Sequence, residues 1–127
     1  MSASVNKITL IGNAGKNPEL IETNNKPFAV FSLATTESFK KPNGEYDNQT
    51  EWHKIKVFGY SAGRVMNQIQ KGSLVYVEGK LTSYQNQIGA TRWEVVAKTF
   101  KVLKNKKEQQ HSSQLLGPEI NSPWGNS

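Results

Sequence analysis

A small all-β barrel carrying one helix is the fold this sequence predicts, and three observations predict it. Between residues 5 and 103, β-branched and aromatic residues alternate with polar ones in short runs. Clusters of Gly, Pro, Asn and Lys separate those runs. One segment alone, residues 61–70, changes to helical spacing.

The elements follow in order. Residues 5–11 are apolar and β-rich and predict the first strand, ended by Gly12 and Asn13. Residues 28–33 predict the second, after the turn signal Asn24-Asn25-Lys26-Pro27. Residues 51–58 predict the third, after a polar loop containing Lys41-Pro42-Asn43-Gly44. Ala62, Val65, Met66 and Ile69 then stand at i, i+3, i+4 and i+7, and Gly72 follows as a stop signal. Residues 74–81 and 92–103 predict the last two strands, with a hairpin tip at residues 86–90. Three strands, one helix and two strands is the order of the OB-fold, a five-stranded Greek-key barrel with its helix between the third and fourth strands.

The 127 residues suit a single domain. Hydrophobic residues make up only 35%, so part of the chain is expected outside the core. From Lys104 onward the sequence is polar, carries two prolines and loses its periodicity. The expectation is a barrel domain over residues 1–103 and a disordered or loosely ordered tail over residues 104–127. Sixteen Lys and Arg against ten Asp and Glu give a net charge of +6, which favours an anionic partner. The absence of Cys excludes disulfides, thiolate metal sites and Cys nucleophiles, and two His are too few for a His-rich metal site. No apolar run approaches the roughly 20 residues of a membrane helix. The first residues show no signal-peptide or presequence pattern. The chain is therefore expected to be soluble and intracellular, or a mature form whose targeting segment has been removed. No cofactor, metal, membrane partner or small-molecule substrate is expected.

The most informative stretch is Glu51-Trp52-His53-Lys54-Ile55-Lys56-Val57-Phe58. Side chains alternate between the faces of a strand, so Trp52, Lys54, Lys56 and Phe58 share one face and His53, Ile55 and Val57 the other. The second set reads as a core face. The first reads as rings interleaved with cations, an arrangement that stacks bases while ammonium groups meet phosphates. An exposed strand with its aromatics covered by neighbouring chain is the plainer alternative. Phe39, Lys40 and Lys41 open the loop before this strand, Tyr46 follows them, and Tyr84 lies near the hairpin tip. Rings and lysines on such loops suit wrapping of a flexible strand, although Tyr46 and Tyr84 read equally as turn decoration. Phe28, Phe31 and Phe100 have aliphatic neighbours and are expected in the core, and Trp93 reads either way.

Other features carry less. Gly12-Asn13-Ala14-Gly15-Lys16 lacks the spacing, the following Ser/Thr and the βαβ context of a phosphate loop, and reads as a turn. His53 has no nucleophile or paired carboxylate in sight, so no catalytic residue is expected and a structural role fits it better. The lysines at 98, 101, 104, 106 and 107 read as a solvated basic end.

Taken together, these segments resemble the bacterial and mitochondrial single-stranded DNA-binding protein family. The resemblance is carried by residues 5–13 (Val-Asn-Lys-Ile-Thr-Leu-Ile-Gly-Asn), residues 17–19 (Asn-Pro-Glu) and residues 33–39 (Leu-Ala-Thr-Thr-Glu-Ser-Phe). It continues through residues 49–59, from Gln49 through Trp52-His53 to Gly59, and residues 71–81, from Lys71-Gly72 to Leu81. These stretches fall in family order across residues 5–103.

The resemblance implies an OB-fold that assembles as a homotetramer and coats single-stranded DNA, without strict sequence preference, during replication, recombination and repair. It implies stacking on Phe39, Trp52 and Phe58, with Lys7 and Lys71 near the DNA path. Lys40, Lys41, Lys54, Lys56 and Tyr84 complete the expected DNA-binding set. His53 and Tyr76 fall at subunit-interface positions of the family. A replication helicase or polymerase is an expected partner. The family often has Trp where Phe39 stands, and its hairpin Trp has no aligned counterpart, a place Tyr84 could take. Bacterial members usually end in an acidic tip, whereas the last acidic residue here is Glu119. A tail without that tip resembles the mitochondrial branch, so the matrix and nucleoid are the expected location, with a bacterial cytoplasm as the alternative. An RNA-binding OB module of the cold-shock kind is the rival function, and a protein-interaction OB module is another.

Overall fold

The computed structural model describes residues 3–23 and 26–105. Six strands and one helix follow in order: β1 (Ile8–Ala14), β2 (Glu19–Thr23), β3 (Lys26–Lys40), β4 (Tyr46–Phe58), α1 (Tyr60–Gln68), β5 (Leu74–Gln85) and β6 (Thr91–Lys104). The strands lie in the order β1-β5-β6-β4-β3-β2, and β1 pairs with β3 as well, which closes the sheet into a barrel. The fold is the expected OB-type barrel with its helix before the last two strands, joined by a sixth, short strand.

Closure depends on β1 changing partner. Residues 8–13 run antiparallel to β5, and Asn13 and Ala14 then pair with Ala34 and Leu33 of β3. Gly12 precedes that change, and a Cβ there would strike the Ala34 carbonyl and the Leu33 side chain. The absent side chain is what lets two backbones approach so closely. This explains why Gly12 and Asn13 continue the first strand instead of ending it. On the other side of the barrel β4 and β6 pair in parallel, at Ile55 with Val95 and Lys56 with Val96.

Alternation fills the interior. Leu33, Ile55, Val75, Val77 and Val95 are fully buried, with Phe31 and Phe100 beside them as expected. Ala62 and Val65 of α1, and Ile69 just beyond it, complete this core. The helix ends at Gln68, earlier than its apolar spacing suggests, because Ile69 turns into extended backbone. Gly72 then donates its N–H to the Ala14 carbonyl at 2.8 Å, tying the turn before β5 to the end of β1.

Two expectations about the outer segments are corrected. β2 is an edge strand exposed along its whole length, so no alternation of apolar and polar residues marks it. The loop assigned to Phe39, Lys40, Lys41 and Tyr46 is a β-hairpin: Phe39 pairs with Asp47 and Lys40 with Tyr46. Only residues 41–45 turn, closed by Lys41 N–H donating to the Glu45 carbonyl at 2.7 Å, with Gly44 at φ +90°. This arm projects past the core with solvent on both sides, so its strands are polar. Cross-strand side-chain hydrogen bonds, Thr36 with Thr50 at 3.0 Å and Ser38 with Asn48 at 2.7 Å, replace apolar packing along it. The expected hairpin tip holds, with Asn86 N–H donating to the Ala90 carbonyl at 3.0 Å. β6 runs one residue past the expected domain boundary, and residues 106–127 of the expected tail lie outside the described residues.

Candidate nucleic-acid interface

β4 divides its side chains as its sequence predicts. Ile55 and Val57 are buried, while Trp52, Lys54 and Phe58 point outward with Lys56 half-buried between them. The register with β3 sets Ala34 beside Trp52, Ser32 beside Lys54, Val30 beside Lys56 and Phe28 beside Phe58. Small residues flank one end of the stripe and an aromatic flanks the other.

Trp52 is 61% exposed. Its ring lies over Gly15, where a Cβ would sit 2.5 Å from Cζ3 of the indole. Gly15 is itself fixed by donating its N–H to the Ser32 carbonyl at 3.0 Å. A cleft of about 360 Å³ opens beside the ring, lined among others by Lys16, Asn17, Ile21, Val30, Ser32 and Lys54. The Asn17 carboxamide accepts from the Lys71 backbone N–H at 2.8 Å, which ties the turn before β5 to a residue lining this cleft.

Phe28 corrects an expectation. It does not enter the core but lies half-buried on the outer face, 5.4 Å from Phe58 between ring centroids and tilted by 48°. The Lys56 ammonium sits 4.7 Å from the Phe28 centroid and 5.7 Å from that of Phe58. The β5–β6 hairpin adds Tyr84 to the same face. Its ring lies 4.7 Å from the Lys54 ammonium, which also donates to its hydroxyl at 3.2 Å. Each pairing is a cation–π contact on a surface already rich in rings.

Beneath these ammonium groups lies Glu94 of β6, only 7% exposed. Its Oε2 is 3.0 Å from Lys56 Nζ and its Oε1 is 3.6 Å from Lys54 Nζ. Oε1 has no hydrogen-bond partner among the described residues. Sequence reasoning passed over this residue because its partners lie on a strand that reaches it only through the parallel β4–β6 pairing.

The remaining expected site residues are distributed more widely. Phe39 and Lys40 are exposed on the β3–β4 arm, and Lys41 forms an ion pair with Asp47 at 3.6 Å. Strand alternation sets Phe39 with Leu33, Thr35 and Glu37, on the side of the ribbon away from Trp52. Lys7 pairs with Glu78 at 3.6 Å and borders a second cleft, of about 450 Å³, with Lys80 and Lys98. Trp93 is 60% exposed and alternates with core residue Val95, so it faces away from Glu94.

The two expected interface residues occupy different strand pairs. His53 Nε2 lies 2.9 Å from the Thr35 hydroxyl, a contact between the neighbouring strands β3 and β4. Tyr76 is half-buried, flanked in register by Ile11 of β1 and Lys101 of β6, and donates its hydroxyl to Glu78 at 2.9 Å. That hydrogen bond to a carboxylate, aided by desolvation and by the Glu78 charge, holds its phenol above the ordinary tyrosine range. Ile11 stands exposed beside it, and residues 8–12 of β1 have no strand partner on their outer edge among the described residues.

Among the described residues no cluster of His, Asp and Glu could hold a metal ion, and no helix is long and apolar enough to cross a membrane.

Comparison with known proteins gives one consistent result. The model of the single-strand binding protein family matches residues 5–103. A single-stranded DNA-binding protein of Rhizobium meliloti is 40% identical over 107 residues, 79% of this chain. The chain spans 62% of that relative's length. Among solved structures, a Plasmodium falciparum SSB in complex with ssDNA superposes with a TM-score of 0.72 at 29% identity, covering 82% of this chain and 99% of that one. The single-stranded DNA-binding protein of Thermus aquaticus, a deletion mutant, superposes at 0.71 with 23% identity, covering 80% of this chain and 52% of that one, and shares the fold.

Proposed function

This chain belongs to the single-strand binding protein family, and from that premise we propose that it binds single-stranded DNA without strict sequence preference. Coating exposed strands during replication, recombination and repair is the corresponding role. The observation that carries this function is the outward face of β3 and β4, where Trp52, Phe58 and Phe28 are presented to solvent beside a cleft. Every base has a ring face, so stacking on such rings is tolerant of sequence. Lysines around this face, Lys16 at the cleft, Lys71 in the turn hydrogen-bonded to Asn17 and Lys40 on the arm, supply phosphate neutralisation. Tyr84 extends the ring surface, while Phe39, on the opposite side of the β3–β4 arm, and Lys41 at its turn serve a strand that passes around the arm. Lys7, across the barrel, serves a strand that wraps beyond this face. The protein acts by binding and not by catalysis.

Titration of tryptophan fluorescence with oligo-dT at two salt concentrations tests this function. Saturable quenching that weakens with salt is expected. A preference for RNA of equal length would favour the cold-shock type of module, and no response to either strand would refute nucleic-acid binding.

The assembly proposed is a homotetramer. It is supported by the free edge of β1, by exposed Ile11 beside half-buried Tyr76, and by the position of His53. Light scattering should give about four times the 14.2 kDa chain mass, and His53→Tyr should weaken assembly before it affects the fold. A stable monomer at micromolar concentration would rule the tetramer out. Of the two expected settings, a bacterial cytoplasm has the support of the Rhizobium relative, and the mitochondrial matrix and nucleoid have none here. A helicase or polymerase partner rests on the family resemblance alone.

A further inference from the structure

Glu94 is an unusual residue for a surface that meets a polyanion. Its carboxylate is buried in the middle of the outer face, 3.0 Å from Lys56 and 3.6 Å from Lys54. Stability alone does not account for it, since a buried ion pair replaced by well-packed neutral residues is often no less stable. Its effect on the face is definite. Two lysines and one glutamate leave a net charge of +1 where the lysines alone would give +2. The same contacts hold one ammonium against Tyr84 and the other against Phe28 and Phe58.

We propose that Glu94 is a specificity-determining residue, one that makes this face favour nucleic acid with unstacked bases over ligands that present phosphates alone. The inference rests on the single-stranded DNA-binding function proposed above. A phosphate approaching Lys56 must compete with a carboxylate oxygen 3.0 Å from its ammonium, and one approaching Lys54 meets the same carboxylate's charge at 3.6 Å. A base approaching Trp52, whose ring carries no ammonium among the described residues, meets neither obstacle. Duplex DNA keeps its bases stacked inside and offers only its backbone, so it forfeits the stacking and gains little from these cations. Glu94 acts through the lysines and is a positioning residue; it need not touch DNA.

The test compares wild type, Glu94→Gln and Glu94→Asp for binding of oligo-dT and of a short duplex over a salt series, each folded by circular dichroism. Glu94→Gln releases the lysines. The slope of log affinity against log salt should steepen by about 0.7 per released lysine for the single strand and about 0.9 for duplex. Duplex affinity at low salt should rise by roughly tenfold, and by a larger factor than that for oligo-dT. Glu94→Asp keeps the charge and should keep the wild-type slope. Lys56→Met in the otherwise unchanged chain should leave the slope unaltered, because that cation is already engaged. In the Glu94→Gln background it should take away part of the added steepness.

An unchanged slope in Glu94→Gln, or a parallel fall in affinity for both ligands at every salt concentration, would show that Glu94 only supports the fold. If Glu94→Gln does not fold, Lys56→Met decides: a slope lowered by about 0.7 would mean Lys56 already neutralises a phosphate and would overturn the proposal. Failure of the wild type to bind oligo-dT would instead sink the function on which the inference rests.

Discussion

The Lys54 ammonium meets Tyr84 twice, 4.7 Å from its ring centroid and 3.2 Å from its hydroxyl, across thirty residues of sequence. The contact joins the β5–β6 hairpin to the stripe on β4. Tyr84→Phe keeps the ring and removes the acceptor, so oligo-dT affinity should change by less than about threefold. Tyr84→Ala removes the ring as well and should cost about 1–3 kcal/mol if a base stacks there. Equal effects from the two substitutions would assign the role to the hydroxyl.

Trp52→Ala should weaken oligo-dT binding by about 1–3 kcal/mol per stacked base. Stacking releases no counterions, so the salt slope should stay where it was. A lowered slope with affinity at high salt intact would mean that the indole serves to position cations.

Gly15→Ala places a methyl group against the underside of that indole, 2.5 Å from Cζ3. The ring must tilt, since Gly15 is tied to β3 through its N–H. Affinity should fall part of the way toward that of Trp52→Ala with little change in melting temperature. The two substitutions combined should bind no worse than Trp52→Ala alone, because they act on one ring. Additive losses would argue against a shared cause.

Gly12→Ala addresses the barrel. Its Cβ would meet the Ala34 backbone carbonyl, which has no rotamer with which to yield. A loss of about 3 kcal/mol in urea is expected, with the denaturant slope unchanged. A loss below about 0.5 kcal/mol, the level of an ordinary surface change, would mean that β1 can shift its crossing.

Tyr76 gives the pH dependence. Its phenol is held above its unfolded value by the hydrogen bond to Glu78, so the neutral form is the one the fold favours. That contribution is complete below the unfolded pKa, near pH 10, and is lost as pH rises through the raised folded value. Tyrosinate absorbance should therefore show one late-titrating phenol, absent in Tyr76→Phe. The variant should also lose less stability than wild type on moving to alkaline pH.

How much of this was legible in the sequence depended on whether burial was one-sided. On β4 two lysines oblige one face to be wet, so alternation alone separated Trp52 and Phe58 from Ile55 and Val57. From Pro27 to Leu33, β3 has apolar residues on both faces, and nothing local told Phe28 from Phe31; the register with Phe58 decides it. The β3–β4 arm has polar residues on both faces and so read as a loop. Glu94 drew no notice in the sequence, because the lysines that face it, Lys54 and Lys56, stand about forty residues earlier.

The connectivity of the barrel separates pairings that are near in sequence from one that is distant. The β3–β4 and β5–β6 hairpins close turns of only a few residues and can zip early. The β4–β6 pairing joins residues 55–56 to residues 95–96 and must await closure of a much longer loop. Lys56 and Glu94 meet only across that late seam. Substitutions at Glu94 should therefore speed unfolding more than they slow folding, the signature of a contact absent from the transition state. A partly folded chain would display the rings of β4 without the carboxylate beneath its lysines. With that seam open the face would be more cationic, and the selectivity assigned to Glu94 would depend on its closure.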